Sequence, residues 1–145
     1  MINKILVVCL GNICRSPMAE GLLKRALPGK TVYSAGIAAM IGFPADPLAV
    51  QLMREQGIDI SAHRAQSLLP WMVSEADLVV TMDLDQKRFI EQKYATSKGK
   101  VFRLGEFGGY DIPDPYQRDL AVFRQTYSLI AEGVDALTQH LVLLT

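Results

Sequence analysis

The sequence predicts an α/β fold, a four-stranded parallel sheet with helices on both faces, and three observations carry that expectation. Short, continuously apolar runs such as Ile5-Leu6-Val7-Val8 and Leu78-Val79-Val80 have the character of strands buried on both sides. Amphipathic helical segments stand between those runs, as right-handed crossovers between parallel strands require. The chain of 145 residues is long enough to bury a full core without disulfide or metal staples, so residues 1–145 read as a single domain.

The first strand ends at Cys9, and a tight loop, Cys9 to Arg15, leads to a helix. Ser16 is placed to cap that helix and Pro17 to be its first residue. Met18, Ala19, Leu22, Leu23, Ala26 and Leu27 fall on one helical face, and Pro28-Gly29 stops the helix. A second strand, Thr31 to Ala35, passes through Gly36 into an apolar loop, Ile37 to Phe43. Asp46-Pro47 starts another helix, which ends near Gly57. Ile58 to Pro70 reads as loop with a short extended piece. A strand within Asp77–Met82 follows, and Asp83 with Gln86 predicts a capping box for a helix reaching about Tyr94. The fourth strand lies near Val101 to Leu104.

Gly105 to Gln117 is a long loop rich in Gly, Pro and Asp, the kind that carries function inside a small domain. The last helix sets Leu120, Phe123, Tyr127, Ile130, Val134, Leu137 and Leu141 at spacings of three and four, one stripe for the sheet. In sheets of this kind ligands bind beyond the carboxyl ends of the strands, where the strand order reverses. In a flavodoxin-like three-layer order that point is the end of the first strand, at the Cys9 loop.

Composition excludes several classes. The formal net charge is 0, so no whole-molecule field draws the chain to nucleic acid or to an anionic membrane. No segment approaches membrane-spanning length and the first residues do not read as a signal peptide, so no membrane insertion and a cytoplasmic location are expected. Two cysteines, Cys9 and Cys14, are too few for a disulfide framework or a thiolate zinc site, and His63 and His140 stand far apart. No metal and no cofactor is therefore expected.

The Cys9–Arg15 loop is built like an anion cradle. A helix starts at its far end with unpaired N–H donors, and Gly11 frees the backbone to turn inward. It lacks the Gly-Lys-Ser/Thr ending of a nucleotide loop and instead puts a thiol where an oxyanion would sit. The N–H groups of Leu10, Gly11, Asn12, Ile13 and Cys14 and the guanidinium of Arg15 would bind phosphate and favour the Cys9 thiolate. That thiolate would attack phosphorus in line, and a carboxyl on the Gly/Pro-rich loop would protonate the leaving oxygen. Asp111 and Asp114 both suit that part on residue type, and both also suit plain turn chemistry. A Cys-x5-Arg spacing alone is weak, because a buried strand-end thiol and a surface arginine would give the same pattern.

Cys9-Leu10-Gly11-Asn12-Ile13-Cys14-Arg15-Ser16-Pro17, Ser34-Ala35-Gly36 and Asp114-Pro115-Tyr116 resemble the low-molecular-weight protein tyrosine phosphatase family, over essentially the whole chain. The resemblance implies Cys9 as nucleophile, Arg15 as phosphate clamp and Asp114, rather than Asp111, as general acid. It also implies a hydrogen-bond network of Asn12, Ser16, Ser34 and His63 around the loop. Taken alone, these four are ordinary turn, cap, strand-end and surface residues. The segment His63-Arg64-Ala65-Gln66-Ser67 departs from the family's usual His, variable residue, Ala-Arg-Gln. His140 reads as a surface residue.

Met40, Ile41 and Tyr116 are the candidate walls for a phenyl ring. Cys14 is a candidate redox partner that could trap an oxidised Cys9 as a disulfide, or else a small buried hydrophobe. The aliphatic loop and the Ile112-Pro113-Asp114-Pro115-Tyr116 segment resemble the bacterial branch of the family that works with capsule or exopolysaccharide tyrosine kinases. The implied partner is the phosphorylated tyrosine-rich tail of such an autokinase, with the phosphatase a monomer or weak dimer. Arsenate reductases of this fold use further cysteines, and none follows Cys14. Arginine phosphatases of the family carry threonine where Ile13 stands, which disfavours phosphoarginine. The reading of another class is a silent phosphate-binding regulatory module.

Overall fold

The computed structural model describes residues 1–144. Four strands, β1 Lys4–Cys9, β2 Thr31–Gly36, β3 Leu78–Thr81 and β4 Val101–Arg103, form one sheet in the order β2-β1-β3-β4. Every neighbouring pair is parallel, with Val7 opposite Ser34 on one side and Val80 on the other. Five helices surround it: α1 Arg15–Ala26, α2 Pro47–Glu55, α3 Pro70–Glu75, α4 Leu84–Lys93 and α5 Leu120–Leu144. Ile5 and Val7 pack with Met18, Leu23, Met53 and Ile130 on one face, against α1, α2 and α5. Leu6 and Val8 pack with Met72, Val73 and Ile90 on the other, against α3 and α4. Ile5 through Val8 are fully buried, which is why β1 reads as an unbroken apolar run. The chain passes from β1 to β2 on one side and later to β3 on the other, so the order reverses at the end of β1, beside Cys9.

Several local expectations are corrected. Helix α1 begins at Arg15, with Cys14 in the cap position and no side-chain cap. Ser16 does not cap because its hydroxyl is bonded to Cys9 and Asn12 instead. Pro17 still falls in the first turn, where its missing N–H costs nothing. Ala26 is exposed, and Leu27 closes the buried face. Helix α3, which sequence reading left unassigned, has six residues, too few to establish a 3.6-residue period. The capping box is shifted: Asp83 accepts from Gln86 N–H at 2.8 Å, but the Gln86 side chain accepts from Met82 N–H, not from Asp83. Asp46 caps α2 as expected, accepting from Leu48 N–H at 2.9 Å. The extended piece in the 58–70 segment is a single bridge, Gly36 to Ser67. Among the described residues no helix is long and apolar enough to cross a membrane.

Gly36 shows why a small residue ends β2. A Cβ there would stand 2.7 Å from the Leu10 carbonyl oxygen and 3.0 Å from Ala39 Cα, both backbone atoms that cannot swing away. Gly36→Ala should therefore push the Cys9 loop outward, lower stability by about 1–3 kcal/mol and reduce kcat/KM. Chemical denaturation read beside steady-state kinetics checks both effects.

Candidate active site

The Cys9–Arg15 loop is held from outside by its carbonyls. Those of Cys9, Leu10 and Gly11 accept from the N–H groups of Ile37, Ala38 and Met40 at 3.0, 2.9 and 3.0 Å, and that of Ile13 from Asp46 N–H at 2.8 Å. With its carbonyls engaged by the 37–46 segment, the loop turns N–H groups inward. Asn12 N–H points at Cys9 Sγ, 3.2 Å away.

Asn12 is the keystone of this turn. It is fully buried with φ +60°, a left-handed conformation that asparagine tolerates better than most residues. Its side-chain nitrogen donates to Ser16 Oγ at 2.7 Å and Ser34 Oγ at 3.0 Å, and its Oδ1 accepts from Gln66 N–H at 2.9 Å. Its carbonyl accepts from His63 Nε2 at 2.7 Å, which requires the proton to sit on that nitrogen. Ser34 Oγ in turn donates to Glu20 at 2.5 Å, and Glu20 pairs with Lys24. The four residues implied by the resemblance thus meet in one network around the loop. Gln66 joins it, with its side-chain amide donating to Ser34 O at 2.8 Å.

Cys9 is 2 % exposed and lies 2.9 Å from Ser16 Oγ. Because Ser16 Oγ already accepts from Asn12, its own hydrogen is free for the sulfur. The Arg15 side chain is almost wholly buried. One of its terminal nitrogens donates to Ile112 O at 2.8 Å and lies 3.6 Å from Asp83, and the other lies 3.7 Å from Asp114. The guanidinium is therefore aimed from the start of α1, the end of β3 and the acid loop at once.

Cys9, Arg15 and Asp114 line one cavity of about 140 Å³, walled further by Ala38, Met40 and Tyr116. Leu10, Gly11, Ile13 and Cys14 belong to the same lining, and Asn12 lies buried behind it. Ile41 does not line it: the residue is 68 % exposed, because the bond from Met40 N–H to Gly11 turns Met40, not its neighbour, toward the loop. Asp111 is also outside this lining, pairing with Arg103 at 3.0 Å and accepting from Leu84 N–H. His140 is exposed and stacks on Phe107. A wider groove of about 710 Å³ between α1 and the 57–63 segment is lined by no cysteine, serine or threonine.

Cys14 is buried at the end of the loop, beside Arg15. Burial first, then the charges of Asp46, Asp114 and Cys9, push its thiol well above the ordinary cysteine range against a smaller opposing effect of Arg15. It is held as a neutral thiol, which slows attack on an oxidised Cys9. After brief mild peroxide near neutral pH, peptide mass mapping should find sulfenic acid at Cys9 ahead of a Cys9–Cys14 disulfide, with the disulfide gaining as pH rises.

Asp83 was legible only as a helix cap, yet its second oxygen approaches Arg15. Strand-end position at the carboxyl edge of the sheet was the available signal. Asp83→Asn keeps the cap acceptor and removes the charge, so kcat/KM for an aryl phosphate should fall roughly fivefold, about 1 kcal/mol, with little change in thermal stability.

Comparison with known proteins gives a consistent kinship. The family model described as low molecular weight phosphotyrosine protein phosphatase matches residues 4–142. A protein of Ralstonia nicotianae named "Probable low molecular weight protein-tyrosine-phosphatase EpsP" is 54 % identical over 136 residues, covering 94 % of each chain. The structure of Vibrio vulnificus Wzb in complex with benzylphosphonate superposes with TM-score 0.93 at 40 % identity, covering 97 % of this chain and 99 % of that one. The YwlE arginine phosphatase from Geobacillus stearothermophilus is further away, with TM-score 0.89 at 35 % identity over 96 % and 92 % of the two chains. With the match running nearly end to end and a cysteine, an arginine and an aspartate gathered in one cavity, the chain belongs to the low molecular weight phosphotyrosine protein phosphatase family.

Proposed function

We propose that this protein hydrolyses phosphotyrosine in proteins through a phosphocysteine intermediate. The observation that carries the reading is the shared cavity of Cys9, Arg15 and Asp114. The Cys9 thiolate attacks phosphorus, the bond from phosphorus to the tyrosine oxygen breaks, and Asp114 gives that oxygen its proton. Water then attacks the phosphocysteine, Asp114 takes a proton from it, and the S–P bond breaks to release inorganic phosphate and the thiolate. Arg15 grips two equatorial oxygens, and the inward N–H groups of residues 10–14 stabilise the charge of both transition states. Asn12, Ser16, Ser34 and His63 hold the loop and the sulfur in place, and Met40 and Tyr116 bound the ring.

The physiological substrate in this reading is the phosphorylated tyrosine-rich tail of a bacterial autokinase of exopolysaccharide or capsule production, met in the cytoplasm by a single phosphatase domain acting as a monomer or weak dimer. The aliphatic wall of Ile13 and Met40 beside Tyr116 supports an aryl ester over phosphoarginine. Hydrolysis of phosphotyrosine, phosphoserine and phosphoarginine peptides in the presence of chelator tests it. Phosphotyrosine should be cleaved far faster than the other two. Faster cleavage of phosphoarginine would replace the substrate, and no turnover by folded, reduced protein would favour a silent phosphate-binding module.

A further inference from the structure

A second depression opens beside the Cys9 cavity. It is an open groove of about 570 Å³ that shares Leu10, Arg15 and Asp114 with that cavity and continues along the start of α4. Ile37 and Phe89 give it apolar surface, and the Phe89 ring is 39 % exposed. Hydrolysis of the ester itself uses neither Ile37, Phe89 nor the start of α4. A phosphotyrosine, however, is one residue of a chain, and its neighbours lie only ~3.3–3.6 Å further along the backbone. A surface continuous with the rim is therefore where a flanking side chain comes to rest.

The groove's charges are unequally committed. Asp111 is paired with Arg103, and Asp83 faces Arg15 while capping α4. Arg15 is turned toward the phosphate site, so a bound phosphoryl group takes up its positive charge. Asp85 lies exposed in the first turn of α4 with no side-chain partner among the described residues. Lys93, whose ammonium stands 5.6 Å from the Phe89 ring centroid, is two helical turns beyond Asp85, about 12 Å by the helical rise and past the ~8 Å screening length of physiological salt. Arg88, exposed three residues beyond Asp85 in α4, does not line the groove and makes no ion pair with Asp85 among the described residues. With substrate bound the groove therefore presents a carboxylate at Asp85 and an apolar ring at Phe89.

We propose that this groove is a substrate subsite that selects lysine or arginine next to the phosphotyrosine, with the alkyl stem on Phe89 and the charged end at Asp85. Long basic side chains suit such a surface, since their stems cover apolar area while the cationic head stays wet. An acidic neighbour would be repelled. The proposal rests on the phosphotyrosine reading above, and its test separates the two.

The test measures kcat/KM on peptides carrying one phosphotyrosine, with the residue on either side varied among alanine, glutamate, lysine and arginine. Wild type, Asp85→Asn, Asp85→Lys and Phe89→Ala are compared, each calibrated on p-nitrophenyl phosphate, which has no flanking residues. Lysine or arginine on one side should give about a fivefold advantage over alanine. The advantage should vanish in Asp85→Asn, pass to glutamate in Asp85→Lys, weaken in Phe89→Ala and shrink in high salt. Equal kcat/KM for all flanking residues, with p-nitrophenyl phosphate still hydrolysed, overturns the subsite and leaves the phosphatase reading intact. A basic preference that survives in Asp85→Lys overturns it as well. Failure of folded wild type to hydrolyse any phosphotyrosine or p-nitrophenyl phosphate overturns the reading beneath it.

Discussion

Replacing Cys9 with serine should cut phosphotyrosine turnover by roughly 10⁴-fold or more while leaving the fold and phosphate binding in place. A serine hydroxyl is a weak nucleophile unless a general base takes its proton. None stands ready. His63 commits its Nε2 proton to the Asn12 carbonyl, and Ser16 and Ser34 are hydroxyls already engaged by Asn12. Removing the sulfur removes the atom that the Ser16 hydroxyl and the Asn12 N–H contact, and an un-ionised hydroxyl does not replace it as nucleophile. The anion cradle itself does not depend on sulfur. Arg15 keeps its anchors at Ile112, Asp83 and Asp114, and the loop carbonyls keep theirs on residues 37–46. Titration calorimetry with inorganic phosphate should therefore show binding by the serine variant, beside a single-turnover assay showing no release of tyrosine. Residual turnover within tenfold of wild type would exclude the phosphocysteine route.

The same contacts explain how much could be read before the structure. Strand β1 and the loop after it were legible because a run buried on both faces has no polar interruptions and because Gly11 and Pro17 punctuate the chain locally. The parallel order followed from the alternation of elements. What sequence could not separate was one local motif with two uses. Ser16 before a proline looks like a cap, but long-range partners take its hydroxyl for the site. Met40 and Ile41 are adjacent and alike, and only the backbone bond to Gly11 decides which faces the cavity. Gln66 reaches Asn12 across 54 residues of chain, a contact that no periodicity encodes. Asp83 was hidden by its second employment as a cap. Asp111 and Asp114, indistinguishable by type, part company because Arg103 lies at the end of β4 and claims the nearer of them.

That separation makes Asp114→Asn the sharper test of mechanism. Asparagine matches the shape of the side chain and can still accept from Tyr116 N–H, which meets Asp114 Oδ1 at 3.1 Å. It cannot deliver a proton to a departing oxygen. For phosphotyrosine peptides, kcat should fall by roughly 10²–10³-fold, the usual worth of a positioned general acid. The loss should depend on the leaving group. A phenoxide that is stable without a proton, as from p-nitrophenyl phosphate, needs little help, so its kcat/KM should drop far less. A plot of log kcat/KM, which excludes the later hydrolysis of phosphocysteine, against leaving-group basicity should steepen in the variant. Phosphate affinity should not weaken, since the carboxylate 3.7 Å from Arg15 competes with the anion rather than recruiting it. Asp111→Asn serves as the contrast. It removes the charge of the pair to Arg103 while its amide oxygen can still accept from Leu84 N–H, so it should lower Tm slightly while kcat stays within a few-fold of wild type on every leaving group. Equal losses in the two variants, or a loss of kcat/KM in Asp114→Asn that ignores the leaving group, would take the proton donor away from Asp114.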